Sequence, residues 1–445
     1  MYRFLKRLHI SPYLLVVLSF LSLILLGSLL LWLPFSYNSG HSPAYIDAFF
    51  TSVSAVCVTG LSVYNNIGAT LSIFGKVILA ILIQLGGLGF ISIFTFLITL
   101  VGHKLNFSDR YIIKEALNYD SFKGVTKFVR SMVIISLIAE VLGTIPFLFV
   151  FVPEYGVFSG IGKSIFHSIS SFNNAGFDLI GSSSLIPYAN NILININTMV
   201  LIIAGGLGFV VISDLARKRK AKNWATLTKV VLTTTLILIV AGTLGIYLLN
   251  LGKITFLEAM FQSVTTRTAG FSTIDIKELS SPSQLLIMLL MFIGASPLST
   301  GGGVKTTTAF IIVLTIFFFI RGKKTHAFKR TFPHRNFIQA TTLVFMSVAT
   351  LVIAITLLEM FEKDAPFMNT LGPDSLMFEA VSAFGTVGLS YGITPMLSTG
   401  SKIVLTVLMF FGRVGPMTMM SIVSEAMNRE EKLHYQYIEA NIIVG

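Results

Sequence analysis

The sequence predicts an all-α integral membrane fold of four tandem repeats around one central axis. Each repeat is a spanning helix, a short re-entrant loop and a second spanning helix, giving eight membrane-spanning helices and four re-entrant loops. Three observations predict it: long apolar runs with few charges, basic residues confined to alternate polar segments, and one short motif recurring four times.

Of the 445 residues, 54% are hydrophobic and only 12% are charged, about half the charged share of an average soluble domain. Runs such as 12–33 and 230–249 match the roughly 20 apolar residues that cross a bilayer core as a helix. A basic stretch, 1–7, precedes the first run, as in a signal peptide. The run nevertheless continues to Leu33 without a small-x-small cleavage site before Pro34, so it reads as a retained first membrane helix. Cys57 is the sole cysteine, which excludes an internal disulfide and a cysteine metal cage. The seven histidines are scattered, with no HExxH-type spacing.

A net charge of +12 would suit a nucleic-acid partner, but its distribution argues against one. The basic residues fall at Arg3, Lys6 and Arg7, in 110–130, 217–222 and 321–335, and at Arg429 and Lys432. The intervening polar segments carry acids such as Asp47, Glu154, Asp178, Glu258 and Asp374. This positive-inside alternation places both termini and three basic loops in the cytoplasm of a multi-pass protein. It divides the chain into repeat 1 (8–101), repeat 2 with a preceding cytoplasmic segment (104–216), repeat 3 (223–320), repeat 4 (334–428) and a tail (429–445). Within the second segment, 106–128 is amphipathic and reads as an interfacial helix.

The recurring motif reads FTSVSAVCVTGL at 50–61, FHSISSFNNAGF at 166–177, FQSVTTRTAGF at 261–271 and FEAVSAFGTVGL at 378–389. Each copy opens on Phe, has Ser or Ala third, Val or Ile fourth, Ser or Thr fifth, and closes on Gly before Leu or Phe. The third copy is one residue short. A helix of about ten residues between two spanning runs is too short to cross, so it re-enters. Its non-helical end survives at membrane depth only when buried in protein or lining a watery path. Four such loops from one chain converge on one axis and form a pore.

A short helix aimed into the membrane presents its partly negative carbonyl end to the centre. The residues beyond it, Val58–Thr59–Gly60, Asn174–Ala175–Gly176, Thr268–Ala269–Gly270 and Thr386–Val387–Gly388, can turn backbone carbonyls inward and replace the hydration shell of a monovalent cation. Glycine suits the site because it adopts backbone angles that other residues avoid. The expected ligand is therefore a cation.

These four segments, notably TRTAGF at 266–271, together with a glycine-rich break described next, resemble the TrkH, KtrB and HKT superfamily of potassium transporters, and within it the bacterial KtrB membrane subunits. The resemblance covers nearly the whole chain. It implies that the four glycines form a selectivity filter holding potassium, that Gly60 in the first copy goes with potassium preference, and that the protein is a homodimer in the bacterial cell membrane. It further implies a cytosolic, KtrA-like nucleotide-binding ring as partner, and leaves sodium dependence open. No copy carries the full Thr-Val-Gly-Tyr-Gly of ordinary potassium channels.

Each second helix holds a small-residue cluster: LGGLG at 85–89, AGGLG at 204–208, IGASP at 293–297 and FGRVG at 411–415. The first two read as plain packing helices. In the fourth, Arg413 stands where the others have Gly87, Gly206 and Ala295. A buried guanidinium is costly, so Arg413 reads either as a barrier on the ion path or as a structural group capping carbonyls or pairing with an acid. In the third, Pro297 and Gly301–Gly303 break the helix. The break, with Ser299, Thr300, Gly301, Gly302, Gly303, Val304 and Lys305, resembles the family's intramembrane gating loop and is expected beneath the filter. Arg267 reads as a brace to an acidic neighbour. Asp47, Glu258 and Glu379 read either as cation-concentrating groups at the mouth or as a solvated face.

Val304 separates Gly303 from Lys305, so the loop does not match a phosphate-binding Gly-Lys-Ser/Thr. No paired acids, Ser/His pair or metal cluster lies in the spans, which argues against an intramembrane enzyme, and no resident cofactor is expected. A sodium-coupled secondary symporter is the alternative, since such folds also use broken helices.

Overall fold

The computed structural model describes residues 12–38, 43–100, 110, 113–114, 124–218, 220–415 and 418. The basic N-terminal stretch, most of the expected interfacial helix and the tail lie outside the described residues.

Repeat 1 comprises α1 (Pro12–Trp32), α2 (Tyr45–Val56), α3 (Ile73–Leu88) and α4 (Phe90–Leu100). Repeat 2 comprises α5 (Val125–Tyr155), α6 (Val157–Phe172), α7 (Ile192–Gly206) and α8 (Phe209–Arg217). Repeat 3 comprises α9 (Thr226–Leu249), α10 (Phe256–Thr265), α11 (Ser281–Phe292) and α12 (Thr306–Ile320). A two-residue hairpin, β1 (His326–Ala327) with β2 (Arg330–Thr331), leads to repeat 4: α13 (His334–Phe361), α14 (Asp374–Gly385) and α15 (Thr399–Val414). Four of the helices, α1, α5, α9 and α13, are long and apolar enough to cross a membrane, and six spans result when each bent pair, α3–α4 and α7–α8, counts as one.

Local chemistry starts these helices where they start. Ser72, Asn191 and Ser398 accept from the amides of Gly75, Ile194 and Ser401, capping α3, α7 and α15. Thr255 and Glu258 close a full capping box on α10. Helix α6 is longer than its counterparts because it follows α5 after Gly156 alone. Phe158 in its first turn is 94% exposed, and burial begins at Gly160.

The recurring motif encodes the packing inside each repeat. Its opening residues Phe50, Phe166, Phe261 and Phe378 are all buried. Its third-position serines donate to carbonyls of the preceding long helix: Ser52 to Ile24 (2.8 Å), Ser168 to Glu140 (2.6 Å) and Ser263 to Ile239 (2.9 Å). One turn further along that helix stand Gly27, Gly143 and Gly242, where an added Cβ would strike the same serine. The fourth copy has Ala380 and forgoes the bond.

Between repeats the order is cyclic. Helix α3 packs on α6, α7 on α10, α11 on α14, and α15 returns to α2. The last of these seams carries an ion pair, Lys402 Nζ to Asp47 Oδ1 at 2.8 Å.

Candidate cation site

At the end of each short helix the backbone alternates in hand. Val58, Asn174, Thr268 and Thr386 have φ of 57°, 59°, 73° and 50°, and Gly60, Gly176, Gly270 and Gly388 have φ of 96°, 71°, 77° and 92°. The residue between, Thr59, Ala175, Ala269 or Val387, is not left-handed. Left-handed angles are costly for residues with a Cβ. Four non-glycine residues holding them at equivalent places therefore mark one imposed geometry. Alternation of hand along a strand turns successive carbonyls to the same side.

The four glycines meet. A Cβ built on Gly60 would lie 2.6 Å from the Ala175 carbonyl oxygen, and one on Gly176 would lie 2.9 Å from that of Ala269. One on Gly270 would strike the Val387 carbonyl, and one on Gly388 that of Thr59. Each repeat thus leans on the next, and the fourth closes on the first. No other residue fits this ring, because both the angle and the space exclude a side chain.

The one-residue deficit of the third copy is absorbed just before the ring. The amides of Thr59, Ala175 and Val387 donate five residues back, to Ser54, Ser170 and Ser382, whereas that of Ala269 donates four back, to Thr265. A tighter last turn brings Gly270 into register. In repeats 1 and 4 the motif's fifth residue also holds the ring glycine, Ser54 Oγ accepting from Gly60 N (3.1 Å) and Ser382 Oγ from Gly388 N (3.0 Å).

On one side the ring opens into a cavity of 590 Å³, lined by all four glycines together with Asp178, Asp275, Ser272 and Ser390. Burial raises the Asp178 carboxyl above its ordinary range, against the pull of the Ile180 and Gly181 amides and the Ser184 hydroxyl. None of the three acids read from the sequence as mouth residues lines this cavity itself. Asp47 pairs with Lys402, Glu258 caps α10, and Glu379 is buried against Ser390 and Thr394.

On the opposite side lies the 293–305 loop, which separates α11 from α12. It folds on itself through Gly294 N to Val304 O (2.8 Å) and Lys305 Nζ to Gly301 O (2.8 Å). It also bonds to the other repeats: Thr300 N to Gly205 O (3.3 Å), Gly303 N to Gly412 O (3.2 Å), and Gly302 N to Thr386 Oγ1 (3.1 Å). A Cβ on Gly301 would strike Thr268 Oγ1, and one on Gly302 would strike Thr386 Oγ1. The loop therefore sits directly against the first residue of two ring strands.

Arg413 reaches this loop. Its guanidinium donates to the carbonyls of Thr300 and Gly86 and, at 3.0 Å, to that of Gly87. Its partners are carbonyls rather than an acid. Arg267 likewise finds no acid among the described residues: it is 6% exposed and donates to the Thr235 carbonyl of α9 at 2.8 Å. The expected acidic brace is thus a backbone brace, because the guanidinium is turned away from the cavity that holds the nearby carboxylates.

Two features escaped the sequence reading. The second helices of repeats 1 and 2 are not plain packing helices. They bend by 94° and 96°, at Gly89 (φ 79°) and Gly208 (φ 89°), and Gly415 (φ 89°) ends α15 at the same place. The preceding glycines Gly86, Gly205 and Gly412 lie against the carbonyls of Val56, Phe172 and Phe384, at or near the C-terminal ends of the short helices. The signal was the final glycine shared by three clusters. The second is a buried polar knot in which Glu140 accepts from Ser136 Oγ (2.8 Å), Gln84 Nε2 (3.2 Å) and Asn173 Nδ2 (3.1 Å). It ties α5, α3 and the end of α6 together beside Gly86 and Gly87.

Comparison with known proteins agrees with this architecture. Residues 7–434 match the TrkH family model, described as cation transport protein. The chain is 40% identical to the potassium/sodium uptake protein NtpJ of Enterococcus hirae, over 99% of this chain and 98% of that one. It is 35% identical to the Ktr system potassium uptake protein B of Bacillus subtilis, again over 99% and 98%. The fold is similar to that of the potassium transporter TrkH from Vibrio parahaemolyticus, with a TM-score of 0.73 at 19% identity, covering 93% of this chain and 85% of that one. The chain belongs to the TrkH family of cation transport proteins, a family of transporters and not of enzymes.

Proposed function

We propose that this chain is the potassium-translocating membrane subunit of a bacterial uptake system, conducting through the ring of Gly60, Gly176, Gly270 and Gly388. The observation that carries the reading is the closure of that ring. Four equivalent strands with alternating backbone hand put carbonyl dipoles around one axis, where they substitute for the water around a monovalent cation. The carbonyl ends of α2, α6, α10 and α14 add partial negative charge at the same place. Cation transport relatives matched over nearly the whole length support it.

In this reading the eight spans are α1, α3–α4, α5, α7–α8, α9, α11–α12, α13 and the one that α15 belongs to, and the four short helices re-enter from the outer side. The repeats are those bounded at 8–101, 104–216, 223–320 and 334–428, with both termini cytoplasmic. The 293–305 loop is the gate. It is held shut by Arg413, whose fixed charge also opposes a passing cation. The functional unit is a homodimer on a KtrA-like cytosolic nucleotide-binding ring, and potassium is its substrate.

The test is uptake by the purified chain in liposomes, with potassium and then sodium, with and without an imposed potential. Conduction driven by potential alone, favouring potassium, is the expected result. Potassium flux that requires a sodium gradient would establish the sodium-coupled symporter instead.

A further inference from the structure

The second position of the recurring motif is polar in every copy and never the same: Thr51, His167, Gln262 and Glu379. All four are at most 2% exposed. Their contacts differ in kind. Thr51 donates to the Asp47 carbonyl of its own helix at 2.7 Å. His167 lies against the rings of Phe147 and Phe271, with centroids 4.7 and 4.8 Å away. Gln262 and Glu379 instead reach past the ring. Gln262 Oε1 accepts from Ser272 Oγ at 3.3 Å, and the Glu379 carboxylate accepts from Ser390 Oγ and from Thr394 Oγ1 (3.2 Å), with the Tyr391 amide also bonded to it.

Ser272 and Ser390 are equivalent. Each stands two residues after its ring glycine and lines the open cavity. Repeat 4 takes the arrangement furthest, with a wholly buried carboxylate that has no cationic partner among the described residues. Burying an unpaired carboxylate is costly unless hydrogen bonds satisfy it. Here its bonds run to one segment, 390–394, which lines the cavity through Ser390, Tyr391, Gly392 and Thr394. That strand is therefore clamped to α14 twice, at Gly388 by Ser382 and beyond it by Glu379. Ser170, the counterpart of Ser382 in repeat 2, has an unpartnered hydroxyl, so the four strands are held unequally.

We propose that Glu379 is a positioning residue for the fourth ring strand, clipping 390–394 to α14 and so setting the cation preference of the ring. This rests on the reading of the ring as a cation filter. A carbonyl ring discriminates between ions through the spacing and stiffness of its oxygens, and releasing one strand of four loosens both.

The experiment is uptake of potassium, rubidium and sodium by the full chain in liposomes. In Glu379→Ala the potassium-to-sodium ratio falls by about fivefold and the KM for potassium rises, while the maximal rate moves less. Glu379→Gln keeps one acceptor oxygen for Ser390 Oγ and offers its NH2 as a donor to Thr394 Oγ1, so the segment stays clipped and the ratio returns to within about twofold. Ser390→Ala combined with Thr394→Val reproduces the alanine phenotype with the carboxylate in place, and decides the matter if Glu379→Ala fails to fold. An unchanged ratio in these variants, or a glutamine variant as impaired as the alanine one, overturns the proposal. Gly388→Ser separates the two levels: a ratio unchanged there overturns the filter reading itself. Loss of preference in Gly388→Ser with none in the Glu379 variants overturns only the positioning role.

Discussion

Arg413 donates to the carbonyl of Thr300, joining the last helix of repeat 4 to the broken helix of repeat 3 directly beneath the glycine ring. The same guanidinium holds Gly86 and Gly87 of repeat 1. One side chain thus fastens the loop to the second helix of repeat 1. A hydrogen bond from a charged donor contributes about 1.5–3 kcal/mol, and the loop's other bonds to the neighbouring repeats join neutral groups.

Arg413→Ala is therefore expected to raise the maximal potassium flux in liposomes by about tenfold, which corresponds to ~1.4 kcal/mol of lost restraint. Deletion of 300–305 should raise it at least as far. Flux that stays level or disappears in well-folded protein would show that the loop does not gate.

The ring glycines and the packing glycines make separable predictions. Gly205→Ala places a methyl group against the Phe172 carbonyl, and overpacking of this kind costs about 1–3 kcal/mol. A lower melting temperature in detergent is expected, with ion preference unchanged in the protein that survives. Gly162→Ala on α6, where an added Cβ meets nothing within 4 Å, should leave both quantities where they were. A Gly205 variant as stable as the Gly162 one would remove the packing role of the small-residue clusters.

The parts of this architecture legible in the sequence were those in which one residue type answers one local need from copy to copy. The motif's Phe fills the core and its glycine takes an angle that excludes a Cβ in all four copies, its third serine bonds the preceding helix in three, and its fifth residue holds the ring glycine in two. What stayed hidden depends on the path of distant chain. Gly89 and Gly208 look like packing glycines until the turn after them is known, since φ is not written in composition. Arg413 finds carbonyls 113 and 327 residues away, and a carbonyl leaves no trace in the sequence, whereas an acid would have. Arg267 misled for the same reason.

The third-position serines test the motif's grammar. Ser52→Ala, Ser168→Ala and Ser263→Ala each remove a bond to the long helix of the same repeat. Each should cost about 1 kcal/mol, read as a shift in denaturant midpoint. The acceptor carbonyls keep their helical partners, so no unpaired group is left behind. Equal losses in all three are expected, and a loss confined to one would show that the repeats are not equivalent in packing.

The seam between repeats 4 and 1 closes the ring without a covalent link, and Lys402 with Asp47 is its one ion pair among the described residues. Both side chains keep some solvent access, at 13% and 23%, so the pair is worth less than a buried one, about 0.5–1 kcal/mol. Asp47→Asn and Lys402→Gln should each lower stability by that amount, and the double variant by no more than either. The exchanged pair, Asp47→Lys with Lys402→Asp, should recover most of the loss. Because the pair is partly exposed, raising ionic strength should weaken the wild type toward the single variants. Losses that simply add in the double variant would mean that the two side chains act on their own helices and that the seam is held by apolar packing alone.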